Sequence, residues 1–134
     1  TVVVRHFGAM EAEGACVEEV RTVLNYFGDS SAREGSHLGC LLCNAGTELA
    51  PTLELSRAST ARFLDRLTRA FEHALEGAAS RRRLVHGAPV RELARFFPTV
   101  LMGMFVLSRA RVRGDVVRAA ADQAIARLDA VTAR

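Results

Sequence analysis

Three side chains with ligand chemistry stand close together in the stretch HLGCLLCNAGTEL: His37, Cys40 and Cys43, each three residues from the next. An imidazole and two thiolates are zinc ligands, and a Cys-x-x-Cys pair is also the reactive centre of disulfide oxidoreductases. Each chemistry needs a setting. A zinc site takes paired ligands from separate elements, and the remaining cysteine, Cys16, supplies no second pair. A redox pair needs an exposed, low-pKa thiolate on a strand-to-helix turn. Here both sulfurs sit among leucines at helical spacing, and free cysteine in such a place behaves as a small hydrophobe. No metal and no cofactor is expected. Three cysteines cannot complete an intrachain disulfide framework, which suits a reducing compartment.

Other catalytic arrangements do not assemble. The histidines His6, His37, His73 and His86 are scattered, and there is no Ser–His–Asp constellation, Gly-rich phosphate loop or H-E-x-x-H. An enzyme is not expected. The 134 residues carry a formal net charge of +3, with all 18 basic residues arginine, an excess too mild to argue for nucleic-acid binding. The run Arg81–Arg83 lacks neighbouring aromatics for base stacking and reads as a solvated helix end that complements the helix dipole. The longest uncharged run, Phe96 to Ser108, is shorter than the roughly 18 residues a membrane span needs. No membrane partner is expected, and the location is read as cytoplasmic.

The elements that must position any site are helices. Strand signals are almost absent, while apolar residues recur at helical spacing throughout. Val17, Val20, Leu24 and Phe27 share one face, and Gly28 is expected to stop that helix. Leu38, Leu41, Leu42, Ala45 and Leu49 form the stripe of a second helix capped by Ser36 and ended by Pro51. Phe63, Leu64, Leu67, Ala70, Phe71, Ala74, Leu75 and Ala78 line a long helix from about Leu53 to Arg82. Pro89 suits the first turn of the next helix, which becomes apolar all round from Phe96 and contains Pro98. Val117, Ala120, Ala121, Ala124, Ile125, Leu128 and Val131 line the last helix, which begins near Asp115. The expected fold is an all-α antiparallel bundle of about five to six helices, one domain over residues 1–134.

The last two helices carry more apolar surface than one chain can cover. Phe97, Val100, Leu101, Met104 and Phe105 can face the chain's own core, which leaves Phe96, Val106 and Leu107 pointing outward. A two-fold homodimer through a four-helix bundle solves this, with Phe96, Val106, Leu107, Val117, Ala121, Ala124 and Leu128 as the expected interface.

The segment GCLLCNAGTELAP (Gly39, Cys40, Leu41, Leu42, Asn44, Glu48, Leu49, Ala50) and the helix order resemble the C-terminal half of TetR/AcrR-family transcriptional regulators. The resemblance implies a ligand-binding and dimerisation domain. The helix-turn-helix domain of that family has no counterpart in this sequence, so DNA would be a partner only through that missing part. The implied effector is small and mostly hydrophobic. Its expected lining is Leu24, Phe27, Leu42, Asn44, Ala45, Phe63, Leu67, Phe71, Leu101 and Met104, with hydrogen bonds available from Tyr26, Asn44, Thr47, Glu48 and His73. Each of the apolar residues could equally be ordinary core. The competing reading is a helical dimerisation module with no small-molecule site.

Overall fold

A helix with one apolar stripe must bury that stripe against another, and five stripes do so here. The computed structural model describes residues 2–30, 54–110 and 113–134, which form α1 (Val2–Glu11), α2 (Val17–Ser30), α3 (Glu54–Ser80), α4 (Val90–Arg109) and α5 (Gly114–Val131). The domain is an all-α bundle. The helix expected between Leu38 and Leu49, with His37, Cys40 and Cys43, lies outside the described residues. Within the bundle α2 packs chiefly on α5, α3 on α4, and α1 on α3.

The stripes read from the sequence are the buried ones. Val17, Val20, Val23, Leu24 and Phe27 of α2 meet Leu67, Ala70, Phe71, Ala74, Leu75 and Ala78 of α3 and Phe97, Leu101, Met104 and Phe105 of α4 in a single core cluster. The first turn of α2 carries Glu18 and Glu19, favourably placed against the positive helix end. Glu19 also turns back to accept the backbone N–H of Cys16 (2.7 Å), half of a capping box. Pro89 sits at the N-cap of α4, and Pro98 is carried inside that helix.

Gly28 does not stop α2. The helix continues through it to Ser30, and the glycine serves packing: a Cβ there would stand 2.6 Å from the Cβ of Ala121 on α5. The small residues of α5 therefore admit α2 of the same chain. Arg118 closes over this contact. It donates to Asp29 (2.9 Å), to the side chain of Asn25 (3.1 Å) and to Asp122 (2.9 Å). Burial pulls its pKa down, yet the bonds to the two carboxylates outweigh that and the guanidinium ends above its ordinary value.

The arginine run after α3 is also more than a solvated end. Arg82 adopts a left-handed conformation (φ 57°), with Arg83 N–H donating to Ala78 carbonyl (2.8 Å) and Arg82 N–H to Ala79 carbonyl (3.0 Å). This is a Schellman cap with arginine where glycine is usual. Arg81 donates to the Ala15 carbonyl (3.3 Å) and Arg83 pairs with Glu18, so the run fastens the end of α3 to the start of α2. Leu84 and Thr132 form an isolated antiparallel bridge that ties the α3–α4 connection to the C-terminal residues.

Candidate effector site and helical outer face

Of the expected effector-lining residues, Leu24, Phe27, Leu67, Phe71, Leu101 and Met104 are buried in the one core cluster, and Phe63 packs half-buried against it. Leu42, Asn44 and Ala45 lie outside the described residues. Deep in the bundle the rings of Phe71 and Phe97 stack with centroids 5.8 Å apart. Towards α1 the character changes, because four helices each bring an aromatic ring to the same place.

Phe27 of α2 is the centre of that cluster. Phe105 of α4 meets it edge-on at 4.9 Å, Phe7 of α1 lies 6.3 Å away, and Tyr26 stands 5.1 Å from it in a T-shaped contact. Phe7 also reaches Phe63 of α3 at 6.2 Å. His6 lies 4.1 Å from Tyr26 and 6.0 Å from Phe27. These separations are those at which aromatic pairs attract beyond simple area burial. The arrangement is an aromatic wall in which two residues, Tyr26 and His6, also carry polar groups and are half-buried.

Three members of this wall, His6, Phe7 and Phe105, were not among the expected lining residues. The spacing of Phe105 in the sequence points to the chain's own core. His6 and Phe7 belong to a segment whose sequence signals only helix, and nothing in it marks which neighbour it will meet. His73 does not face the rings as a hydrogen-bonding group. Its Nδ1 is 2.8 Å from the Met10 carbonyl, so it fastens α1 to α3. A second tie holds the same helix: Arg66 donates to both carboxylate oxygens of Glu11 (2.8 and 3.3 Å). That hydrogen bond holds the Glu11 carboxyl below the ordinary carboxylate range. The hydrogen bond from Arg83 does the same for Glu18.

On the outer side of the bundle Phe96 (40% exposed) and Val106 (38%) of α4 and Val116 (46%) of α5 face outward, with Leu107 half-buried beside them. The expected interface residues of α5 need correction. Val117, Ala121, Ala124 and Leu128 are 0–1% exposed within the single chain, because α2 already covers that stripe. The outward side of α5 is the one bearing Val116, Gln123 and Arg127. A groove of about 440 Å³ runs between the two helices, lined by Pro89, Glu92, Leu93 and Phe96 of the α4 end and Gln123 and Arg127 of α5.

Among the described residues no cluster of histidine, cysteine and carboxylate side chains could hold a metal ion, and Cys16 is a buried free thiol. Among them, too, no helix is long and apolar enough to cross a membrane. Residues 16–125 match the family model of the tetracyclin repressor-like C-terminal domain. The chain belongs to that family. No curated protein and no solved structure matches it. TetR-like C-terminal domains typically bind effectors and dimerise, and they belong to regulators rather than enzymes. Within this TetR-like domain the matched region runs from the first residue before α2 into α5 and so includes Tyr26, Phe27, Phe63 and Phe105, while His6 and Phe7 precede it.

Proposed function

We propose that this chain is the effector-binding and homodimerisation half of a TetR-like transcriptional repressor acting in the cytoplasm. A small, mostly hydrophobic effector binds in the helical core against the rings of Phe27, Phe63 and Phe105. Two copies join through the outward faces of α4 and α5, with Phe96, Val106, Leu107 and Val116 at the contact. The observation that carries the reading is the convergence of α1, α2, α3 and α4 on one aromatic cluster. A molecule seated there touches α1 through His6 and Phe7, so its affinity depends on where α1 stands. By linkage, it shifts α1 between two positions and biases DNA binding by the regulator's helix-turn-helix domain.

Thermal-shift screening of the domain against planar hydrophobic compounds tests the first half. A specific effector at one hundred times its Kd adds about 2.7 kcal/mol to the stability of the folded state. Operator affinity of the intact regulator, with and without that compound, tests the second; unchanged affinity at saturation refutes the coupling. The alternative is a dimerisation module without a small-molecule site. It is favoured by the full burial of Leu24, Phe71 and Leu101, which fill the interior as ordinary core does. A screen in which no compound raises the melting temperature supports it.

A further inference from the structure

The groove between α4 and α5 carries an acid on one wall and a base on the other. Glu92 lies in the first turn of α4, Arg127 lies on α5, and the exposed Phe96 lines the same groove. Among the described residues Arg21, Arg66, Arg83, Arg113 and Arg118 each pair with a carboxylate of their own chain. Glu92 and Arg127 line one groove and form no ion pair there. The helix dipole accounts for an acid near the start of α4. It does not account for a base lining the same groove as the partly exposed Phe96.

We infer that the occupant of this groove is a second copy of the chain, and that Glu92 of each copy pairs with Arg127 of the other on either side of the two Phe96 rings. The inference rests on the homodimer reading above and fixes its register. The start of α4 and the later part of α5 share one end of the helical pair, so the two helices run antiparallel. A two-fold axis along that pair keeps equal heights together and sets α4 of one copy beside α5 of the other. Every helix then has antiparallel neighbours, and Glu92 meets Arg127 twice by symmetry. An axis across the pair would separate the two charges by the length of the helices. The apolar centre comes from Phe96, with Val106 and Val116 continuing the same face toward the other end. The charges on the rim choose the partner, because like charges placed opposite one another exclude it.

The test uses the charge swaps Glu92→Arg and Arg127→Glu in separate chains. Wild-type protein is first run in sedimentation equilibrium; a monomer there overturns the dimer reading and this inference with it. Given a wild-type dimer, each swap alone is expected to weaken self-association by about tenfold or more, since two like-charge contacts form. Mixed in equal amounts, the two variants are expected to form a heterodimer well above the statistical half of the dimers, read by native mass spectrometry. In that heterodimer both cross-pairs are opposite in sign again. A mixture at the statistical proportion, or swaps that leave association unchanged, overturns the inference while leaving dimerisation itself standing. Rescue only by both swaps in one chain, without rescue on mixing, places the pair inside a single copy and also overturns it. Circular dichroism of each variant, expected to match wild type, keeps misfolding from imitating the result.

Discussion

An alanine methyl at Gly28 would have to share space with the Cβ of Ala121 and the guanidinium of Arg118. In an exposed helix, glycine to alanine gains up to about 1 kcal/mol. The Arg118 guanidinium can swing aside, but the Ala121 Cβ is fixed to the packed α5 backbone, so Gly28→Ala is expected to destabilise by about 1–3 kcal/mol, the range for overpacking. Gly8 of α1, where an added Cβ meets nothing within 4 Å, is the control: Gly8→Ala should gain stability. Urea titration of the two variants checks the opposite signs. Arg82 is the converse case, a side chain in a conformation that glycine adopts freely. Arg82→Gly is expected to stabilise by about 0.5–1 kcal/mol, net of the added freedom of the unfolded chain. Sequence patterning read Gly28 as a stop because glycine commonly ends helices. Whether a glycine ends a helix or admits a neighbour is decided by what lies opposite, and Ala121 is 93 positions away.

At the level of elements, α1 loses one of its ties to α3 on acidification. Its polar ties to α3 are the Glu11–Arg66 pair and the contact of His73 with the Met10 carbonyl. The folded-state pKa of Glu11 lies below its ordinary 4.5, so its stabilisation is complete above that value and is lost as pH falls through the lower, folded one. Wild type and Glu11→Gln are therefore expected to differ in melting temperature at pH 7 and to converge as the pH falls below the lowered folded-state pKa of Glu11. The helices themselves were legible in the sequence, because a stripe such as Leu67, Phe71, Ala74 and Ala78 has only one way to be buried. The partner of each helix was not. The α5 stripe looked like an interface because α4 and α5 together are apolar on two sides, and spacing alone does not say which side the chain itself covers. The aromatic wall was half legible: Phe27 and Phe63 stood out by position, whereas His6 and Phe7 acquire their meaning only from the packing of α1 against α2 and α3.

For the whole molecule, the outward face of α4 and the inward stripe of α5 make separable predictions. Replacing both Phe96 and Val106 by aspartate is expected to give a monomer with unchanged helix content, measured by sedimentation and circular dichroism, since both side chains face outward in the single chain. Leu128→Ala acts on the interior instead and is expected to cost about 2–5 kcal/mol in either background, monomer or dimer. A greater loss in the dimer alone would return Leu128 to the interface. The coverage of α5 by α2 has a further consequence. In the proposed dimer a copy leaving its twin would shed no helix, because Leu128 and Ala121 are already buried within the single chain. Were two copies joined through α4 and α5 as proposed, subunit exchange would be limited by the separation of two finished surfaces, and its rate should rise with denaturant as that apolar contact is exposed while the far-ultraviolet signal stays level.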